Sequence, residues 1–214
     1  MPVSGKSPPG PAGALRGGAF CVMLGKRRAR KGPERGVDAV YFTEYESPLG
    51  RLTLAGEERE LTGLWLEGQK YFGATLAPGA LRRDNLASFV LARDWLDRYF
   101  SGERPEGREL PLSPKGTPFQ RLIWSLLLDI PWGETVTYGE LARRSAVRLG
   151  RKSMSAQAVG GAVGRNPIAI IIPCHRVVGT GGNLTGYAGG LERKDWLLRW
   201  EGRNQDSCRI CEKN

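Results

Sequence analysis

The spacing of apolar positions changes several times along the chain, and each change marks an element. From Ala39 to Leu66 apolar and polar residues alternate: Leu52 and Leu54 fall beside Arg51 and Thr53, and Leu61-Thr62-Gly63-Leu64-Trp65-Leu66 follows the polar turn Glu57-Glu58-Arg59-Glu60. A period of two places side chains on opposite faces of a strand, so this stretch predicts strands joined by turns. The period then lengthens. Between Asp84 and Ser101, Leu86, Phe89, Val90, Leu96, Tyr99 and Phe100 keep three- and four-residue spacing, which predicts a helix that Gly102 can end. Residues 104–116, with three prolines, predict a linker. A second unit opens with Thr117 as cap and Pro118 at the first helical position, ahead of the stripe Phe119, Leu122, Ile123, Leu126, Leu127 and Ile130.

Pro131-Trp132-Gly133 breaks that helix, and Thr137-Tyr138-Gly139-Glu140 has the capping-box pattern that opens a short helix through Leu141 and Ala142. Another short helix is predicted from Ser155 through Val163. Two short helices in succession fit a helix-turn-helix and an ordinary helical hairpin equally well. The apolar run from Pro167 to Pro173 predicts an extended segment threaded through a core, and Pro173 should hold Cys174 on stiff, non-helical backbone. Six glycines between Gly179 and Gly190 predict a loop. The expected layout is therefore a tail over 1–36, an α/β domain over 37–103, a linker over 104–116, a helical domain over 117–203 and a C-terminal tail over 204–214.

At 214 residues and 40% apolar content the chain can bury one large or two small cores. Its formal net charge of +10 points to an anionic partner. Residues 1–36 hold eight basic side chains against Glu34 alone, so +7 of that charge lies in a Gly/Pro/Arg-rich segment without periodicity, expected to be disordered. Ala19 to Leu24 is too short for a secretory core, and the basic block follows it instead of preceding it. Met23 is an alternative start. No run is long enough to span a membrane, and the four cysteines (Cys21, Cys174, Cys208 and Cys211) form no disulfide framework, which fits a reducing cytosol. Cys208-Arg209-Ile210-Cys211 has the spacing of half a zinc site, but no second pair completes it, so no metal and no cofactor are expected.

Charge is distributed in a second telling way. Leu141 through Leu191 contains no Asp or Glu, while Arg143, Arg144, Arg148, Arg151, Lys152, Arg165 and Arg176 are all cationic. Solvated surfaces normally mix signs, so one sign around two short helices favours contact with phosphate. The second helix is rich in Ala and Gly, which lets its backbone lie close in a groove. Within the same stretch Cys174 adjoins the chain's single histidine, His175. An imidazole that accepts its proton makes a thiol nucleophilic, but consecutive side chains on a strand point apart, so the pair needs a turn or a bridging water. A buried cysteine beside a structural histidine is the other reading of these two residues.

The stretches Ala158 to Pro167, Ile172-Pro173-Cys174-His175-Arg176-Val177-Val178, Gly186-Tyr187-Ala188-Gly189-Gly190 and Trp196 to Gly202 resemble the O6-alkylguanine-DNA alkyltransferases. Ser47 to Ala55 is similar to the start of that family's N-terminal domain. The resemblance implies an α/β fold: a small N-terminal sheet-plus-helix, ribonuclease H-like domain, then a mostly helical, winged helix-turn-helix-like catalytic domain. It implies a monomeric suicide repair protein, cytoplasmic (nucleoid-associated if bacterial) and not membrane-bound. Its partner would be double-stranded DNA containing O6-alkylguanine, with O4-alkylthymine as a second substrate.

By the same resemblance Cys174 takes the alkyl group of a flipped base, His175 accepts the thiol proton through water, and Glu201 orients the imidazole. Asn166 ties the helix-turn-helix to the active-site segment, and Tyr138 protonates the departing guanine. Val177 and Ala188 hold the base through backbone groups, with Tyr187, Gly189 and Lys194 completing the pocket. The DNA-facing set is Ser155, Ala156, Gln157, Gly160, Gly161, Arg143, Arg144, Arg151, Lys152 and Arg165. This implies a thiol whose pKa is depressed by His175 and Glu201. One departure stands out: Gln157 occupies the place of an arginine that many members insert into the base stack, and Arg148 to Lys152 are additional residues relative to shorter members. Two other classes share some of these features: a non-enzymatic lesion binder, which typically replaces the cysteine by tryptophan, and a cysteine hydrolase, which would turn over.

Overall fold

The alternating segment folds as an antiparallel meander of β1 (Tyr41–Ser47), β2 (Gly50–Gly56) and β3 (Leu61–Leu66), with β4 (Leu81–Arg82) parallel to β1, in the order β3-β2-β1-β4. The computed structural model describes residues 40–76 and 78–211, with side chains through residue 202; the expectations for residues 1–36, Met23 and Cys21 lie outside them. Pairings such as Thr43 with Leu54 and Leu52 with Leu66 turn Leu52, Leu54, Leu64 and Leu66 toward one face. There they meet Phe89, Ala92, Leu96 and Tyr99 of α1 (Ala87–Ser101), and Gly102 ends that helix in the left-handed conformation at φ 92°. The opposite face is covered by the loop after β3, where Phe72 packs its ring on Trp65.

Helix α1 starts three residues later than its periodicity predicts. Asp84 does not open it, because Thr43 Oγ1 donates to its carboxylate at 2.5 Å and Arg82 and Arg93 approach it. Val90 was expected on the apolar face but is 56% exposed, while Trp95 takes its place in the core. A tertiary contact and a rotated stripe thus override the local pattern.

The outer edge of β3 accepts two segments from farther along the chain. Pro111 to Ser113 pairs with Leu61, and Pro167 to Ala169 pairs with Leu64, where Leu64 N donates to Pro167 O at 2.8 Å and Ala169 N donates to Leu64 O at 2.9 Å. This edge pairing satisfies exposed strand groups and joins the sheet to the residues that precede Cys174. Apolar packing runs continuously from Leu64 and Tyr99 to Ile168, Ile172 and Leu197.

Among the described residues, four α-helices form the second half around that junction. In α2 (Pro118–Leu127) Thr117 and Gln120 make a reciprocal capping box, and Ile123, Trp124, Leu126 and Leu127 are buried. A two-residue strand β5 (Val136–Thr137) leads into α3 (Tyr138–Arg148), capped by Thr137, and α4 (Ala156–Val163) is capped by Ser155. Trp124 Nε1 donates to Ala162 O at 2.9 Å, which pins α4 against α2 and leaves its Ala156, Gln157 and Gly161 side exposed. Strand β6 (Val177–Val178) pairs in parallel with β5, and α5 (Leu191–Cys211) closes the fold, its backbone helical beyond residue 203.

The apolar run before Cys174 is not extended over its length. Only Ile168 bridges to β3; the chain then turns, with Ile170 at φ 67° and Ile172 N donating back to Ile168 O. Cys174–Arg176 forms a single 3-10 turn. Pro173 fixes its own φ but leaves the following residues free to coil, and the apolar run needed burial on all sides, which a turn inside the core provides as well as a strand does.

Candidate active site and DNA-facing cleft

The 3-10 turn separates the two reactive side chains. Cys174, 5% exposed, receives a hydrogen bond from Asn166 Nδ2 to Sγ at 3.1 Å. His175, fully buried, turns the other way and shares its Nε2 with Glu201 Oε1 at 2.8 Å. Its Nδ1 has no protein partner among the described residues. Asn166 does more than touch sulfur: its Nδ2 also donates to Ile168 O and Ile172 O, and its Oδ1 accepts from Ile168 N. One amide therefore braces both ends of the turn that carries Cys174.

Glu201, on α5, is the most heavily bonded side chain of the site. Its Oε1 accepts from Tyr99 Oη at 2.8 Å and Arg176 Nη2 at 2.9 Å as well as meeting His175; its Oε2 accepts from Arg176 Nε at 2.8 Å and Gly133 N at 3.2 Å. Burial raises the Glu201 carboxyl, and its His175 and Arg176 contacts overcome that, holding it well below the usual carboxylate range. Burial pushes the His175 imidazolium the other way, below its ordinary value, against the pull of Glu201. A doubly charged pair would need both shifts to favour ions. Arg176 supplies a cation to the same two oxygens of Glu201, and a neutral imidazole here would place its proton on Nε2, toward the carboxylate, and its lone pair on Nδ1.

Burial also pushes the Cys174 thiol above its ordinary value, with the Asn166 hydrogen bond and the Lys194 charge opposing it. The depressed thiol pKa implied by the resemblance is therefore absent from this resting site. The imidazole faces away onto Glu201, and the Lys194 charge near sulfur does not offset desolvation. Lys194, its side chain buried, donates from Nζ to Val177 O at 2.6 Å and Thr185 O at 2.8 Å, and burial lowers its pKa. Tyr138 Oη donates to Gly186 O at 3.0 Å, and burial with the nearby Cys174 raises the phenol to about 12.

The backbone positions expected to hold a base are Val177 and Ala188. Their carbonyls already accept, from Lys194 Nζ and from Lys70 N at 2.8 Å, and each retains a second lone pair. The Tyr187 hydroxyl is buried and has no partner among the described residues. Gly189 lies under the Tyr187 ring, where a Cβ would come within 2.7 Å of the ring edge.

An open cleft of about 700 Å³ lies in front of these residues, lined on one wall by Gln157, Gly160 and Gly161 and on another by Thr185 to Ala188. Gly160 faces the Tyr138 ring, so α4 approaches it closely. Ser155, Ala156, Gln157, Arg143, Arg151, Lys152 and Arg165 are exposed, whereas Arg144 is exposed but paired with Glu140. Arg176 departs from the expected basic surface: it is buried on Glu201 and donates to Ile130 O at 2.6 Å. Its place in an otherwise apolar run was the available signal, because a charge there must find a partner. Tyr99, Trp132 and Gly133 also reach Glu201, and the alternation and helical spacing of their neighbours carry no sign of that.

Two family models cover most of the described chain: the 6-O-methylguanine DNA methyltransferase ribonuclease-like domain matches residues 40–114, and the DNA binding domain of the same family matches residues 118–203. The chain is 44% identical over 163 residues to the methylated-DNA–protein-cysteine methyltransferase of Haemophilus influenzae, covering 87% of that protein. The chain belongs to the methylated-DNA–protein-cysteine methyltransferase family. The Methanosarcina barkeri methyltransferase is 46% identical over 166 residues and 99% covered. The fold is similar to that of Mycobacterium tuberculosis OGT, solved in complex with DNA, at 42% identity and a TM-score of 0.66 over 77% of this chain and 94% of that one. An archaeal O6-methylguanine-DNA methyltransferase at 24% identity, with a TM-score of 0.54, shares the fold.

Proposed function

We propose that this methyltransferase repairs O6-alkylguanine in duplex DNA by moving the alkyl group irreversibly to Cys174, and acts on O4-alkylthymine in the same way. The observation that carries the reading is the braced Cys174, held by Asn166 beside a His175 whose Nε2 is anchored on Glu201 and whose Nδ1 has no protein partner among the described residues. The extruded base enters the cleft between α4 and Thr185 to Ala188. His175 Nδ1 takes the thiol proton through a bridging water, and the Asn166 amide and Lys194 charge stabilise the thiolate so formed. Sulfur attacks the alkyl carbon in line. The S–C bond forms as the C–O6 bond breaks, and the electron pair leaves on the base, which Tyr138 protonates.

Ala156, Gln157, Gly160 and Gly161 form the surface of α4 that lies along the minor groove, flanked by Ser155, Arg143, Arg144, Arg151, Lys152 and Arg165 on phosphates. A minor groove carries little base identity, which suits a protein that seeks lesions in any sequence. No metal or cofactor is used, and the protein acts as a monomer. Among the described residues no helix is long and apolar enough to cross a membrane.

Intact-mass measurement after mixing with duplex DNA containing O6-methylguanine tests the reading. One methyl group per chain is expected, mapped to Cys174 and lost in Cys174→Ser. No transfer would mean a lesion binder, many transfers a hydrolase, and label on another cysteine a different nucleophile.

A further inference from the structure

The loop that follows β3 brings an N-terminal segment into the cleft that the alkyl-transfer reading assigns to DNA. Lys70 and Tyr71 line it together with Gln157, Gly160 and Arg165. Tyr71 is 41% exposed, and its ring carries two cations: Lys70 Nζ lies 5.0 Å from the ring centroid, and the Arg165 guanidinium carbon 5.5 Å from it. Both distances fall within cation–π range. Among the described residues neither cation has a carboxylate partner in salt-bridge range. Two like charges gathered on one exposed ring repel, and an anion placed between them turns that repulsion into attraction.

The arrangement is built, not accidental to a floppy loop. Tyr71 has φ 62°, a backbone conformation that side chains of its size adopt at a cost, and such strain persists only where neighbours enforce it. Here the enforcing contacts are visible. Gln69, buried, accepts from Leu66 N through Oε1 and donates its own N–H to Leu66 O; Lys70 N donates to Ala188 O at 2.8 Å; and Ala74 N donates to Tyr71 O. Phe72 lies on Trp65. Lys70 is thereby tied to the Thr185 to Ala188 wall of the cleft.

We propose that Lys70, Tyr71 and Arg165 form a clamp for a DNA phosphodiester beside the extruded nucleotide, with Tyr71 as the platform and the two cations as the phosphate contacts. This rests on the alkyl-transfer reading above. Lys70, from the loop after β3, joins Arg165, just beyond α4, in supplying positive charge that Gln157 does not bring. It also gives the N-terminal unit a part in holding DNA, since Lys70 and Tyr71 belong to the loop that leaves β3. A phosphate, and not a base edge, is the fitting ligand, because the contacts offered are two charges and a ring face with no paired donor and acceptor to read sequence.

The test compares alkyl transfer to duplex O6-methylguanine DNA with transfer to free O6-benzylguanine, in the full-length protein, and measures duplex affinity across a salt series. Lys70→Gln and Arg165→Gln change exposed tips and should each weaken duplex binding about threefold to tenfold near physiological salt while lowering the salt slope by about 1. Lys70→Arg should restore the slope. Tyr71→Phe should behave nearly as wild type, and Tyr71→Ala should lose more duplex transfer than free-base transfer, with the glutamine variants deciding the matter if Tyr71→Ala unfolds. An unchanged slope in both glutamine variants, or equal losses on the two substrates, overturns the clamp. Wild-type protein that alkylates itself from neither substrate overturns the alkyl-transfer reading instead.

Discussion

Replacing Arg176 by Met is the sharpest probe of the buried network, because it removes the cation and leaves the carboxylate. Glu201 is 0% exposed and Arg176 meets both of its oxygens, at 2.8 and 2.9 Å. Breaking a buried pair by deleting one partner costs about 3–5 kcal/mol, since the remaining charge is desolvated without compensation. For a folded unit of this size each kcal/mol moves Tm by roughly 2–4 °C, so Arg176→Met should lower Tm by roughly 6–20 °C at pH 7. Tyr99→Phe removes only a neutral donor from an oxygen that keeps two others, and should cost about 1–2 kcal/mol.

The pH dependence has a definite sign. The folded pKa of Glu201 is depressed, so its contribution is complete above its ordinary value of 4.5 and drains away as pH falls below that. His175 is also depressed, so loss begins as pH drops through its ordinary 6.5. In Arg176→Met the Glu201 depression is relieved and the loss of stability below pH 4.5 should shrink. Scanning calorimetry from pH 2 to 8 on wild type and both variants measures all of this. A Tm drop below about 3 °C in Arg176→Met, or an unchanged acid limb, would show that Arg176 does not balance Glu201 and that His175 carries the positive charge.

Because burial raises the Cys174 thiol, its alkylation by iodoacetamide in the free protein should be slow at neutral pH and rise only above the ordinary cysteine value of 9.0; a plateau reached by pH 7 refutes the neutral resting thiol. Gln157→Arg should keep or raise the transfer rate on duplex DNA, while Gln157→Ala should lower it more on duplex than on a free base; equal losses would place Gln157 outside nucleotide extrusion. Removing residues 1–36 takes away +7 of the +10 formal charge. Duplex binding should weaken moderately and become less salt-dependent, with transfer from free O6-benzylguanine retained; loss of free-base transfer in a folded truncation would make the segment part of the active fold.

Much of this protein was determined locally. The strands of the N-terminal sheet, the Gly102 stop, the Thr117-Pro118 opening and the Thr137 and Ser155 caps all follow from spacing and from single residues whose preferences act within one turn of chain. Cys174 and His175 stood out for the same reason, as adjacent groups with distinctive chemistry. What the local pattern could not contain was anything that depends on partners far along the chain. Asp84 leaves its helix for Thr43, and the apolar run before Cys174 turns instead of extending because β3 takes only Pro167 to Ala169. The thiol pKa rises, and Arg176 moves from an expected DNA-facing surface to the interior, because desolvation and ion pairing are set by what surrounds a group in space. The gathering of Tyr99, His175, Arg176 and Glu201, separated by up to 102 positions, exists only once the sheet and the helices share a core.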